Sequence, residues 1–284
     1  MLSFSEILLR YRHLFNTDYT ADPACLSAWL FDEASGTTIT DASVNALVGS
    51  FKADGEPLWS VDAPAEYAAG SVYFDGNDDY IDINAHAPLD TLPSGSFTIC
   101  LWTYNYTCVN RLVDKRNGGG GWYMGYVFGN AIDFYCDRSS TASRSITIAA
   151  TLPYEWQHIT AVHVAGQITK IYIDGVLIDN NPSYNTAGSG NAIDDSSRIF
   201  AIGNQSHATF TRGNITEVGI FSRALNSIEI NEIIEYGLKP AAPALNIPTI
   251  KNKASGYNCF MANYITSCLN ELAPARTPDG TIFT

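Results

Sequence analysis

Positive charge is scarce in this chain. Its 284 residues hold 16 Lys and Arg against 29 Asp and Glu, a net charge of -13 at pH 7. Nucleic-acid binding needs basic side chains that displace counterions from phosphate, and docking on an anionic membrane needs them too; the composition speaks against both. Long apolar runs are missing as well, and no segment approaches the ~18 residues of a membrane span. The six cysteines (Cys25, Cys100, Cys108, Cys136, Cys259 and Cys268) form no C-x-x-C and no cluster with histidine, so the usual spacing of a zinc site is lacking. The five histidines make no H-E-x-x-H pair, and no serine sits in a G-x-S-x-G turn. The glycine run before Trp122 lacks the Lys-Ser/Thr of a phosphate loop.

An even cysteine count permits disulfides, but in a chain of this length without a secretory leader buried free thiols are the expected state. Arg10 and Arg12 follow the apolar residues of the opening segment, and no A-x-A-like site comes after them, so the layout is not that of a secretory signal. Ser3 and Glu6 are spaced as a capping box, and Phe4, Ile7, Leu8, Tyr11, Leu14 and Phe15 recur at helical intervals. Residues 1–21 therefore read as an amphipathic N-terminal helical arm, packed either on its own domain or on a partner.

Apolar residues make up 46% of the chain and aromatics 12%, enough for a core without metal or disulfide. From residue 22 to 238 the pattern is all-β. Phe97, Ile99 and Leu101 alternate with Thr98, Cys100 and Trp102, and residues 156–164 form a second strand pattern. Asp174-Gly175 between two short apolar runs signals a hairpin with a type I′ turn. Further short strands are expected at 71–74, 80–83, 122–127, 131–135, 145–148, 198–202 and 214–221. One helix closes the region: Asn226 and Glu229 have capping-box spacing, Ile228, Ile230, Ile233 and Ile234 make a stripe, and Gly237 then Pro240 stop it. Residues 239–284 form a C-terminal extension that opens with a linker carrying Pro240, Pro243 and Pro248. The charge is unevenly distributed: the middle region holds 10 basic and 25 acidic residues, while the two ends are neutral or basic. The ends are thus the expected contact parts, and an acidic body is also a solubilising one.

The order AWLFDEASGTTITDASVN, GSVYFDGNDDYIDI, SFTICLW, WQHITAV, IYIDG, AIGN and GNITEVGIFSRALNSIEI resembles the laminin-G-like family. Those domains are concanavalin A-like jelly rolls, sandwiches of two antiparallel sheets. The resemblance implies an inward Phe74, a turn at Asp75–Asp78, and Trp102 and Trp156 in the core between the sheets. It also implies a hydrogen-bonding role for Arg223 and an anchoring one for Leu225. Glucanases of this fold carry E-x-D-x-x-E on one strand, and this chain has no such triplet; Asp133 and Asp137 are the nearest pair. A non-catalytic protein is expected. Family members often bind one Ca2+ at a sheet rim, which points to Asp75, Asn77, Asp78 and Asp79, with Glu217 where the family often has Asp. For ligand contact the candidates are Trp122, at the end of the glycine run, with Tyr104 and Tyr106 as an aromatic platform for sugar stacking.

These features favour a virion structural or accessory protein of bacteriophage type, in which the jelly roll decorates a capsid, fibre or tail. Such a chain reaches the outside by lysis and needs no leader. Its partners would be other virion proteins, met through both ends in an oligomer on the particle, and host-surface glycans. The alternative is a secreted or cell-surface carbohydrate-binding or adhesion module; a glucanase-type hydrolase is the third reading.

Overall fold

The computed structural model describes residues 17–240, apart from 53–55, 66–67, 84–85, 91, 107–109, 117–118, 128–130, 147–153, 179–184, 194–198 and 204–209. The amphipathic pattern of residues 1–16 and the extension from 241 onward lie outside the described residues. The chain divides into two units, 1–242 and 243–284.

The first unit is a sandwich of two antiparallel sheets. The first sheet runs β14 (Val176–Ile178), β13 (Lys170–Ile173), β12 (Trp156–His163), β7 (Phe97–Asn105), β16 (Arg212–Phe221), β5 (Ser71–Asp75) and β4 (Leu58–Ser60), with β1 (Cys25–Trp29) also paired to β16. The second runs β11 (Ser143–Ile146), β10 (Ala131–Cys136), β9 (Gly121–Val127), β8 (Asn110–Arg116), β15 (Phe200–Ile202), β6 (Tyr80–Ile83), β3 (Val48–Lys52) and β2 (Thr38–Thr40). Period-two alternation sends Phe97, Ile99 and Leu101 of β7 into the space between the sheets, where they meet Trp122 and Met124 of β9, Ile132 and Phe134 of β10, and Phe200. Phe74 is also fully buried there.

Trp102, Trp122 and Trp156 do not take the places expected of them. Trp122 and Trp29 lie in the core between the sheets, both against Phe200. Trp156 and Trp102 lie on the opposite face of the first sheet. The cause is register: Ile159 and Ala161 of β12 point inward, so every even-numbered position from Trp156 points outward.

That outer face has its own smaller apolar cluster, made by Cys25, Ala28, Cys100, Val162, Tyr172 and Phe221 under Ile230 and Ile233 of the closing helix (Ser227–Tyr236). The helix begins with the expected capping box, in which Asn226 accepts from the Glu229 amide and Glu229 reaches back to the Asn226 amide. Leu225 is buried beside it. Arg223 makes ion pairs with Asp22 and Glu229. Tyr19, at the end of the segment read as an arm, packs edge-on against Phe221 and donates its hydroxyl to Glu232. The Asp174-Gly175 hairpin has φ of 49° and 77°, as a type I′ turn requires. Cys25, Cys100 and Cys136 are buried free thiols, and burial pushes those of Cys25 and Cys136 up to about 12.

Candidate functional site

The closing helix covers only part of the first sheet's outer face. At the other end, Trp156, Tyr104, Asn214, Tyr73 and Leu58 stand directly opposite one another across β12, β7, β16, β5 and β4. One cross-strand row therefore carries three aromatic rings on one face. Tyr106 and Tyr154 extend it. The Tyr106 amide donates to the Arg212 carbonyl, and the Tyr154 amide donates to the Asn105 carbonyl, so both rings are tied to the row by main-chain bonds. Tyr106 touches Tyr73, Tyr104 and Tyr154 with ring centroids 6.3, 5.2 and 5.8 Å apart, and Tyr104 meets Trp156 at 5.8 Å.

Tyr154 is 60% exposed and Tyr106 36%, while the other three rings are half-buried. Tyr154 also holds φ at 67°, a left-handed conformation that a bulky side chain rarely adopts. Polar groups rim the cluster. Asp62 accepts from the Trp156 indole N–H at 3.3 Å, and its charge and that of Arg212 both act on Tyr106. Burial, followed by neighbouring Tyr104, Tyr73 and Asp62, raises the Tyr106 phenol above its ordinary value, with Arg212 opposing. The phenol therefore stays protonated at neutral pH and able to donate.

Of the three residues the sequence nominated for ligand contact, Tyr104 and Tyr106 belong to this cluster and Trp122 does not. Trp122 is 1% exposed and lies between Phe97 and Phe200 in the core. The glycine beside it is required by the chain itself: Gly121 has φ of 95°, and a Cβ there would strike the Lys115 carbonyl across the β8–β9 pair. Tyr73, Tyr154 and Trp156 escaped the sequence reading as site residues because Tyr73 lies in one segment and Tyr154 and Trp156 in another, both distant in sequence from Tyr104 and Tyr106 and joined to them only by strand register.

The acidic turn after β5 forms as expected. Carboxylate oxygens of Asp75, Asp78 and Asp79 lie within 4.8 Å of one another. Asp79 accepts from the Asp75 amide, and Asp75 accepts from both the amide and the side chain of Asn77. Burial works to raise the Asp75 carboxyl, yet the N–H groups of Asn77 and Asp78 hold it below the ordinary carboxylate range. Burial, with the charges of Asp75 and Asp78 behind it, raises that of Asp79. Three converging hard oxygen donors suit Ca2+.

Glu217 is not part of that group. In β16 the register slips between Thr216 and Gly219, so two residues oppose one of β7 and Glu217 adopts φ of 51°. The bulge turns Glu217 toward the closing helix, where its carboxylate is 4% exposed and accepts from the Leu238 amide at 2.9 Å. Burial raises its pKa to about 7, with Asp32 adding to the shift and the Leu238 N–H opposing it.

The outer face of the second sheet is occupied by ion pairs. Asp133 is fully buried and takes two bonds from Arg144 and one from the Tyr123 hydroxyl. Asp137 takes two bonds from Arg116. Tyr123 and Tyr135 stack at 5.5 Å, and guanidinium carbons lie over both rings, Arg111 at 3.5 Å and Arg116 at 4.6 Å. The two carboxylates nearest to a glucanase pair are thus each engaged with an arginine.

The architecture is a two-sheet jelly roll with an exposed aromatic cluster on one outer face. The sequence profile of the concanavalin A-like lectin/glucanases superfamily matches residues 75–231, and the chain belongs to that family. No curated protein matches the sequence. Among solved structures, the binding domain of botulinum neurotoxin DC in complex with rat synaptotagmin II aligns with a TM-score of 0.53 at 15% identity, over 76% of this chain and 52% of that one. The binding domain of botulinum neurotoxin serotype D gives 0.55 at 13%, over 76% and 55%. A botulinum neurotoxin type C structure, whose cell entry depends on interaction with two ganglioside molecules, gives 0.52 at 16%, over 76% and 51%. The chain spans about half the length of these three. At such identities the likeness is one of fold. Among the described residues, no helix is long and apolar enough to cross a membrane.

Proposed function

We propose that this chain is a non-catalytic recognition module whose jelly roll contacts a protein or glycan through the open end of the first sheet's outer face. The observation that carries this reading is the five-ring cluster of Tyr73, Tyr104, Tyr106, Tyr154 and Trp156, with Tyr106 and Tyr154 exposed. Tyrosine and tryptophan concentrate at recognition surfaces because they offer large, rigid contact area with a polar tip. The setting we propose is a virus particle. The ground for this setting is the sequence order in which a short N-terminal arm runs straight into the stretch Asp22–Gly36, an order that resembles laminin-G-like proteins among phage structural genes. A bound Ca2+ at Asp75, Asp78 and Asp79, two residues beyond Tyr73, would stiffen the rim of this surface.

The test is binding of the full chain to arrays of host-surface glycans and host-surface proteins, beside the variant Tyr106→Ala/Tyr154→Ala. The variant is expected to keep its fold and lose the signals; signals retained at full strength place the contact elsewhere. Mass spectrometry of purified particles that fails to find the polypeptide removes the virion setting.

A further inference from the structure

We propose that the aromatic cluster receives a cationic polypeptide segment of a partner protein, whose arginine side chains lie on the rings of Tyr106, Tyr154 and Trp156. This rests on the cluster being the contact surface. Three observations favour an arginine-bearing chain over a sugar.

The first is a pattern that the molecule uses twice within itself. On the second sheet, Arg111 lies over Tyr123 while paired with Asp114, and Arg116 lies over Tyr135 while paired with Asp137. In each unit a tyrosine face and a carboxylate hold one guanidinium between them, which matches its flat, weakly hydrated cation. The open cluster repeats the tyrosine and carboxylate parts, with Asp62 bonded to Trp156 and its charge acting on Tyr106. No cation–π contact falls on it among the described residues. A partner would supply the missing part.

The second observation is ring orientation. Neighbouring rings stand at 77°, 55°, 68° and 69° to one another, so none of these four pairs forms a coplanar platform on which a sugar chain could lie. Such a surface offers separate ring faces and notches between them, which suit side chains spaced along an extended backbone.

The third is charge. The middle region carries 10 basic and 25 acidic residues, and Arg111, Lys115, Arg116, Arg144 and Arg223 are already engaged in ion pairs. Beside the cluster, Asp62 and Arg212 both act on Tyr106, and the charge of Arg212 also acts on Asp75, so two carboxylates stand by this one guanidinium. The surface therefore attracts cations at long range and offers ring faces at contact.

The experiment is titration of the full chain, followed by tryptophan fluorescence and calorimetry, with a nine-residue peptide alternating Arg and Ser. The same peptide with Lys for Arg, one with Gln for Arg, and a ganglioside oligosaccharide complete the set. The variants are Tyr106→Leu/Tyr154→Leu, which keeps apolar bulk and removes the π faces, and Asp62→Asn. Glu235→Gln, on the exposed side of the closing helix, controls for net charge. The Arg peptide is expected to bind more tightly than the Lys peptide, and the Gln peptide not at all. The double variant is expected to weaken the Arg peptide about tenfold, as loss of ring–cation contact implies, and Glu235→Gln to leave it unchanged. Equal binding of the Arg peptide by the wild type and the double variant overturns the proposal, as does absence of peptide binding. If the oligosaccharide alone binds, and depends on the rings, the surface stands and its cationic partner falls. If the host-surface array signals also survive in the double variant, the surface itself is wrong.

Discussion

Replacing Glu217 by Gln should remove a pH-dependent weakness that the fold builds into itself. The carboxylate is buried beside the closing helix, accepts the Leu238 amide at 2.9 Å, and has its pKa raised from 4.5 to about 7, with burial the main cause. A carboxyl that binds its proton more tightly folded than unfolded contributes most stability when protonated. That contribution is complete below pH 4.5 and is lost as pH rises through about 7. At 1.36 kcal/mol per pKa unit, the loss is about 3 kcal/mol. Gln keeps the shape and an oxygen to accept from Leu238 but carries no titrating proton. The two proteins should therefore melt together near pH 4.5 and diverge above it. At pH 8 the variant should melt about 10 °C higher, at roughly 2–4 °C per kcal/mol for a domain of this size. His158 and His163, whose pKa values burial lowers to about 3 and 4, weaken the fold in acid in both proteins and cancel in the difference. Calorimetric scans at four pH values between 4.5 and 8 provide the measurement. Parallel curves would refute the reasoning, because they mean that Glu217 reaches water or a cation in solution.

Added Ca2+ should raise the melting temperature, by about 2.7 kcal/mol of stabilisation at a hundredfold excess over its dissociation constant, and chelation should reverse it. Asp79→Asn should abolish the effect and Glu217→Gln should not, since Glu217 lies outside the acidic turn; an effect lost in both variants would contradict the geometry. Trp122→Ala should cost about 3–5 kcal/mol in urea unfolding, as removal of a core aromatic does. Tyr154→Ala, at an exposed position, should change stability by no more than about 0.5 kcal/mol. Asp133→Asn and Asp137→Asn should each destabilise by about 1.5–3 kcal/mol through loss of charge-assisted bonds. If the wild type hydrolysed a β-glucan and these variants did not, the glucanase reading would return.

Much of the scaffold was legible because local signals and tertiary demands agree. β7 alternates cleanly, Asp174-Gly175 supplies both positive φ values of its turn, and Asn226 with Glu229 caps the helix as their spacing indicates. β8 was not legible. Its sequence NRLVDKR reads as polar, and it is a strand because Asp114 and Lys115 find ionic partners in Arg111 and Asp90. Trp122 follows Gly121 and looks like a loop residue, yet its alternation with Met124 and Tyr126 marks an inward face. Glu217 misled for another reason. Ile215, Val218 and Ile220 all point inward at spacings of three and then two, a broken period that reveals the bulge only once strand partners are known. The aromatic cluster was half visible, through Tyr104 and Tyr106.

The two outer faces of this sandwich contain nearly the same chemistry, tyrosines beside carboxylates, and differ in one component. On the second sheet each tyrosine of the stacked pair lies under an arginine, and that arginine is paired with an aspartate, so the face satisfies its own charges. On the first sheet the closing helix covers the apolar half and stops short of the Trp156–Tyr73 row. Rings at that end remain at the surface beside Asp62. Exposing such rings brings no folding stability, whereas a fully desolvated aromatic contact with a partner is the usual centre of binding energy. The asymmetry between the faces is the ground for proposing the first sheet, rather than the face that carries Asp133 and Asp137, as the recognition surface.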